Sequence, residues 1–183
     1  MNTAYFLINT ICNLYLMIVL MRIWLQLARA DFYNPVSQFV VKATNPVLKP
    51  LRRVIPGFFG IDMAAVLLAI LVATLKLVLF KALHIMDASW GTMLLVGALS
   101  VLKTAGTMLF WVMIVRALLS WVSQGNNPIE YLLFQLTEPL LAPIRRIIPA
   151  MGGLDLSMLV AFIILQVLNF LMGDLIGPLW WQL

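Results

Sequence analysis

The sequence predicts an all-α membrane protein with four transmembrane helices in two tandem repeats of the same orientation. Each repeat is expected to carry a cytoplasmic, amphipathic helix flanked by prolines. The first observation behind this is composition, because 63% of the 183 residues are hydrophobic and 10% are charged. Soluble domains carry roughly 25% charged residues. The composition therefore excludes a water-soluble enzyme and a disordered chain.

Apolar windows long enough to cross a bilayer are the second observation. A helix needs about 20 apolar residues to span roughly 30 Å of hydrocarbon. The four predicted spans are Ala4–Leu27, Met63–Ala82, Ala105–Trp121 and Leu156–Leu175. The apolar stretch that ends in the third span is too long for one crossing and contains Lys103. We therefore expect residues 83–104 to form an interfacial or bent connection between the two repeats.

Charge asymmetry between the loops predicts the orientation of the spans. Most basic residues lie in the loop between spans one and two or in the loop between spans three and four: Arg29, Lys42, Lys49, Arg52, Arg53, Arg145 and Arg146. The other side has mainly Lys81 and Lys103. Since basic loops stay in the cytoplasm, both long loops are expected there, with the N- and C-termini periplasmic. The net charge of +5 is too small for a nucleic-acid partner.

An internal repeat is the third observation. At an offset of 93 residues, 12 of the 29 positions from Asn34 to Asp62 match their counterparts from Asn127 to Asp155. The repeat divides the chain into units at residues 1–82 and 105–183, each consisting of a span, a motif loop and a span. The matching motif residues are Thr44, Pro46, Pro50, Arg52, Arg53, Pro56, Gly60 and Asp62 in the first copy, and Thr137, Pro139, Pro143, Arg145, Arg146, Pro149, Gly153 and Asp155 in the second.

The repeated element T-x-P-x-L-x-P-x-R-R-x-I-P, followed by G-x-D, resembles the two motif copies of the YggT family of membrane proteins, also called YlmG-like. The resemblance covers nearly the whole chain. We expect a non-catalytic protein of the bacterial inner membrane whose two motifs bind lipid headgroups or a partner and help to organise or assemble membrane complexes. Relatives are associated with osmotic tolerance, with genes beside cell-division loci and, in plastids, with cofactor attachment to a cytochrome complex or nucleoid distribution. The family resemblance implies no common biochemical activity.

The motif itself predicts a short amphipathic helix at the cytoplasmic interface. Apolar residues between Pro46 and Ile55 follow helical spacing. The helix is expected to begin at Pro46 with Asn45 as its cap, or at Pro50, and to end at Pro56. Its arginine pairs have three interpretations that the sequence leaves open: topology signals, clamps for anionic lipid headgroups, and a docking surface for a membrane-protein partner or a second copy.

Two acidic residues directly precede spans. Asp62 and Asp155 are expected to cap the helices that follow them. A second interpretation pairs each with the arginine that closes the previous span, Arg22 with Asp62 and Arg116 with Asp155. Such pairs would hold the two spans of one repeat together.

The alternative function is an ion channel or transporter subunit in the osmotic stress response. Charged and polar residues at membrane depth would line its pathway, with Lys76, Asn169 and Asp174 as candidates. Against it, the spans contain few carboxylates and no filter-like segment. Catalysis, a metal site and a cofactor are not expected, because the chain has one cysteine, one histidine and no phosphate-binding loop.

Overall fold

The computed structural model describes residues 3–58, 60–122, 127–148 and 156–183. These residues form helices and connections without a β-strand. The helices, in chain order, are α1 (Thr3–Leu27), α2 (Pro35–Val54), α3 (Met63–Ala82), α4 (Trp90–Val122), α5 (Pro128–Ile147), α6 (Leu156–Ile176) and α7 (Pro178–Gln182). Four of them, α1, α3, α4 and α6, are long and apolar enough to cross a membrane. The prediction of an all-α protein with four spans is therefore confirmed.

Helix α4 begins earlier than the third predicted span. It is continuous from Trp90, so residues 90–104 extend the span and do not form a separate bent segment. No proline interrupts this stretch, and Gly97 packs directly against α3, where an added Cβ would lie 2.5 Å from the Thr74 hydroxyl oxygen. The close approach of the two helices explains why the chain stays helical upstream of Lys103.

The bundle contains two pairs of spans, α1 with α3 and α4 with α6, and the pairs differ in how tightly they pack. Half of the most apolar window of α3 is buried, compared with 17% of that of α6. Alanines repeat every four residues along the buried face of α3, at Ala65, Ala69 and Ala73, and let α1 approach closely. The α1–α3 pair therefore forms the main core, whereas α6 is held mostly by a smaller cluster around Met113, Leu141 and Ala161.

Helices α2 and α5 lie at the end of the bundle where α1 and α4 end, which we call the motif end. Asn34 and Asn127 cap them, each accepting a hydrogen bond from the backbone two residues on, at 2.9 Å. The predicted start of the motif helix at Pro46 or Pro50 is wrong, because α2 begins at Pro35 and runs through both prolines. The two prolines are four residues apart and exposed on one face of α2, so their rings do not enter the core.

The opposite end of the bundle is closed by the α3–α4 connection and by α7. Lys81 Nζ pairs with Asp87 Oδ1 at 3.2 Å within the connection. Gly173 allows α7 to fold back on α6, since an added Cβ would lie 2.5 Å from the Trp181 ring. Trp180 is buried there, whereas Trp181 is half-exposed.

Candidate functional site

The motif end places one arginine pair in the last turn of each motif helix. Arg52 and Arg53 close α2, and Arg145 and Arg146 close α5. Cations at a helix C-terminus interact favourably with the helix dipole. The two members of each pair, however, have different surroundings.

The first arginine of the α2 pair binds a buried carboxylate. Arg52 Nε donates to Asp62 Oδ2 at 2.9 Å, and its Nη2 contacts the same oxygen. The other oxygen of Asp62 accepts a hydrogen bond from the Ala65 amide at 3.3 Å, so Asp62 caps α3 as expected. The Arg52–Asp62 pair fixes the end of α2 to the start of α3.

The first arginine of the α5 pair also binds a carboxylate. Arg145 Nη1 lies 2.9 and 3.0 Å from the two carboxylate oxygens of Glu138. Glu138 Oε2 is in addition 3.6 Å from Arg116 Nη2. Glu138 therefore connects the end of α5 to the span α4.

The second arginine of each pair faces outward. Arg53 and Arg146 are exposed and make no hydrogen bond or ion pair with the part of the chain that the structure describes. Each shares a helix face with two exposed motif prolines, at one and two turns before it: Pro46 and Pro50 on α2, Pro139 and Pro143 on α5. We call these two surfaces the proline–arginine faces. Each offers a guanidinium group on the same helix face as two prolines, which lack the backbone N–H that would bond the preceding turn.

The motif threonines are buried and serve the packing of the motif helices. Thr44 and Thr137 are fully buried. Their hydroxyls donate to the carbonyl oxygens of Val40 and Leu133, both at 2.7 Å. Thr137 also accepts a hydrogen bond from Arg116 Nη1. Gly60 adopts a φ of +79°, which favours glycine, in the turn that leads into α3.

Of the two predicted arginine–aspartate pairs, the pair of Arg22 with Asp62 lies within the described residues. Asp62 bonds to Arg52, whereas no hydrogen bond or ion pair joins it to Arg22. Arg116 bonds to Thr137 and Glu138. Three predicted motif residues lie outside the described residues: Pro149, Gly153 and Asp155.

Arg22 differs from its counterpart Arg116. Its Nε and Nη1 atoms are buried without a hydrogen-bond partner among the described residues, and its guanidinium lies 5.0 Å from the centre of the Phe32 ring. Arg116 lies over Phe134 in the same way, at 4.8 Å. The position that matches Glu138 in the first repeat is occupied by Asn45. The carboxylate that Arg116 uses is thus missing beside Arg22.

Contacts between the two repeats at the motif end were not predicted from the sequence. Asn34 Nδ2 donates to the Pro128 carbonyl at 2.7 Å, and Trp24 Nε1 donates to the Leu136 carbonyl at 3.1 Å. The Asp31 amide donates to Gln135 Oε1 at 3.0 Å. These bonds hold α5 against the end of α1 and the start of α2. The offset of 93 shows which residues correspond between the two copies, but it does not show which residues of one copy contact the other.

The residues proposed for an ion pathway lie in separate places. Lys76 is buried between α1 and α3, and its Nζ donates to Asn13 Oδ1 at 3.0 Å. Asn169 accepts a hydrogen bond from Trp180 Nε1 at 2.9 Å, between α6 and α7. Asp174 is exposed near the end of α6. The contacts among the described residues do not join these three side chains.

The sequence matches one known family over most of its length. A sequence model of the CCB3/YggT family matches residues 1–83 and 95–176. The chain belongs to the CCB3/YggT family. The family match agrees with the four spans and the two motif copies, and it includes both proline–arginine faces.

Several curated relatives are similar to the chain over nearly all of their length. A protein of Vibrio alginolyticus, named for its position in the proC 3' region, is 60% identical over 189 residues and is covered completely, as is this chain. YggT of Escherichia coli K12 is 51% identical over 170 residues, covering 92% of this chain and 88% of the relative. A Haemophilus influenzae protein is 46% identical over 179 residues, covering 98% and 96%. No solved structure matches the chain.

Proposed function

We propose that this chain is a non-catalytic protein of the bacterial inner membrane that organises or assembles membrane complexes. The observation that carries the proposal is that the two arginines of each pair have different contacts. Arg52 and Arg145 bind carboxylates, whereas Arg53 and Arg146, on the proline–arginine faces, make no hydrogen bond or ion pair with the described residues. A planar guanidinium group binds carboxylates and phosphates through two parallel hydrogen bonds.

In this proposal the two motif loops face the cytoplasm, as the basic residues at the motif end favour. The two repeats are tandem units of one orientation, related by a pseudo-two-fold axis along the membrane normal. The motif helices are amphipathic and rest on the membrane interface. A link to osmotic and envelope homeostasis follows from the family resemblance and belongs to the proposal.

Rigidity supports a docking role for the exposed arginines. The Arg52–Asp62 and Arg145–Glu138 pairs hold the last turn of each motif helix in place one residue before the exposed arginine. A guanidinium group that is already oriented loses less conformational freedom on binding. Topology signals alone need charge but no fixed geometry, so this arrangement favours a specific anionic partner group on a membrane protein or a lipid headgroup.

The test places a photo-crosslinking amino acid at position 53 or 146 in native membranes. We expect a recurrent membrane-protein partner, identified by mass spectrometry, at both positions. The matched control places the same photo-crosslinking amino acid at position 29. Arg29 is an exposed arginine at the motif end that lies outside α2 and α5. If only lipid is captured at positions 53 and 146, the proline–arginine faces bind lipid headgroups. If the crosslinked molecules at 53 and 146 are the same as those at 29, neither face has a specific role.

The alternative, an ion pathway through Lys76, Asn169 and Asp174, has less support. Lys76 is buried and bonded to Asn13, and Asn169 is bonded to Trp180. Reversal of charge at Lys76 or Asp174 should change ion flux in reconstituted vesicles if the alternative is correct. Under the docking proposal, flux stays at the level of empty vesicles in the wild type and in both variants.

A further inference from the structure

A cavity of about 550 Å³ lies between α4 and α6, toward the end of the bundle opposite the motif end. Its walls are apolar at one end, where Leu109, Phe110 and Leu165 line it, and polar toward the other, where Lys103 and Asn169 lie beside Trp180. The volume falls within the range of small-molecule sites in proteins, about 300–1,000 Å³. The cavity uses none of the motif residues.

The polar end of the cavity carries a positive charge. Lys103 Nζ donates to the Trp180 carbonyl and lies 5.5 Å from the centre of the Trp180 ring. An ammonium group has three donors, so this contact leaves two for a ligand. None of the described side chains that line the cavity is acidic. The charge therefore favours an anionic group at this end.

The depth of Lys103 suits a lipid headgroup. Lys103 lies 13 residues before Arg116 on α4, which corresponds to about 20 Å along the helix. Arg116 is at the motif end, and the hydrocarbon core is about 30 Å thick. The flexible lysine side chain reaches from this depth toward the far interface, where phosphates of the opposite leaflet lie.

Gln166 adds a second polar group deeper in the cavity. It lies at the middle of α6, is exposed, and makes no hydrogen bond within the described part of the chain. An unpaired amide in hydrocarbon is costly. Gln166 is three residues from Asn169, about 4.5 Å along the helix. A ligand with a carbonyl group just below its charged group would satisfy it.

The matching interface in the first repeat is closed. In the register that aligns the span arginines, Asn9 and Asn13 correspond to Lys103 and Thr107. Lys76 corresponds to Asn169 in the motif register, yet it is buried and bonded directly to Asn13 at 3.0 Å. The lysine therefore lies on the second span of the first repeat, as Lys76, and on the first span of the second repeat, as Lys103. The α1–α3 pair packs around its lysine, whereas the α4–α6 pair leaves a cavity beside its own.

We propose that the cavity between α4 and α6 binds one anionic glycerophospholipid from the leaflet opposite the motif end. Its phosphate contacts Lys103, an ester carbonyl accepts a hydrogen bond from Gln166, and one acyl chain lies along Leu109, Phe110 and Leu165. The order of cation, amide and apolar wall along the cavity matches the order of phosphate, ester and hydrocarbon in the lipid. This site is independent of the proline–arginine faces.

The test reconstitutes the full chain in phosphatidylcholine vesicles that contain a small fraction of photoreactive phosphatidylglycerol. Parallel vesicles contain photoreactive phosphatidylcholine. After illumination, mass spectrometry measures the labelling of α4 and α6 peptides. We expect the anionic probe to label these peptides roughly tenfold more than the zwitterionic probe. Both lipids carry a phosphate, but the choline ammonium of the zwitterionic probe would lie close to the like charge of Lys103. Equal labelling by the two probes would overturn the proposal.

A glycine supplies the variant that fills the cavity. Gly106 lines it, and an added Cβ there meets no atom within 4 Å, so Gly106→Leu places a larger side chain at the cavity wall. We expect it to reduce labelling by the anionic probe about tenfold. The matched control is Gly91→Leu on the same helix, where an added Cβ also meets no atom within 4 Å and which does not line this cavity. Labelling of Gly106→Leu at the Gly91→Leu level contradicts the site, and equal thermal unfolding of both variants excludes misfolding as the cause.

Charge removal separates headgroup recognition from general lipid contact. Lys103→Gln should abolish the preference for the anionic probe, while Lys81→Gln, at the same end but outside the cavity, should keep it. A preference that survives Lys103→Gln would overturn the role of this lysine. Failure of both lipid probes to label α4 and α6 would show that lipid does not occupy the cavity and would also overturn the proposal.

Discussion

At the scale of single residues, the two neighbouring arginines of each motif have different contacts. Arg52 and Arg53 are neighbours and repeat as Arg145 and Arg146, yet the first of each pair binds a carboxylate and the second is exposed. The sequence places all four arginines at the motif end of the bundle. Which of two adjacent side chains faces the bundle depends on how the helix is rotated about its axis, which the structure shows. Position within the pair therefore predicts the effect of a substitution.

Arg52→Gln should lower the stability of the protein, whereas Arg53→Gln should leave it unchanged. Loss of the guanidinium at 52 leaves the buried Asp62 carboxylate without its charged donor, which costs about 1.5–3 kcal/mol. Thermal unfolding in detergent measures the difference. Conversely, only Arg53→Gln should remove partner capture by a photo-crosslinker at position 50. Equal melting temperatures for the two variants would contradict the division of roles.

Glu138 was not singled out from the sequence, although it contacts two arginines. Glu138→Gln removes the charge that Arg116 and Arg145 share, so we expect a loss of about 2 kcal/mol in unfolding free energy. Glu130→Gln is the matched control on the same helix. One carboxylate oxygen of Glu130 is buried without a partner in the described part of the chain, so neutralising it should keep or raise stability. Equal losses in both variants would show that Glu138 acts through general charge alone.

At the scale of helices, hydropathy predicted the spans well and the ends of the other elements less well. The bounds of α1, α3 and α6 lie within one residue of the predicted spans. The start of α2 was missed because proline was treated as a helix boundary, whereas Pro46 and Pro50 lie on one exposed face of a helix capped by Asn34. The extra length of α4 was missed because helix packing at Gly97 is a tertiary contact.

Gly97 provides a test of the α3–α4 packing. Gly97→Val should separate the two helices and destabilise the protein by about 1–3 kcal/mol, because the space for a side chain is occupied by Thr74. Gly91→Val on the same helix meets no atom within 4 Å and should have little effect. Thermal unfolding of the two variants in parallel measures the contrast. A Gly97→Val protein as stable as the control would mean that the α4 extension does not pack on α3.

At the scale of the whole molecule, the two repeats share a motif end but differ in their interiors. Cross-repeat bonds such as Asn34 to Pro128 and Trp24 to Leu136 join the copies at that end. Toward the other end, α1 and α3 are packed together, whereas a partly open cavity lies between α4 and α6. Both motif helices begin after an asparagine cap and have an arginine pair in the last turn, whereas the interiors differ, with Lys76 buried on α3 and Lys103 lining the cavity on α4.

Orientation in the membrane is the molecule-scale prediction. In a Cys12→Ser background, single cysteines at exposed positions Gln38 and Tyr131 report on α2 and α5, and cysteines at Ser89 and Gln182 report on the opposite end. A membrane-impermeant maleimide added to cells with a permeabilised outer membrane should label positions 89 and 182 only. Labelling of 38 and 131 should require disruption of the inner membrane, because basic loops remain cytoplasmic.

The paired design of this experiment distinguishes the arrangement of repeats from the orientation. Positions 38 and 131 belong to different repeats, so matching behaviour shows that both repeats insert the same way. Labelling of 38 and 131 from outside, with protection of 89 and 182, would reverse the orientation but keep the tandem arrangement. Opposite behaviour of 38 and 131 would contradict the tandem arrangement itself and, with it, the hydrogen bonds that join the repeats at the motif end.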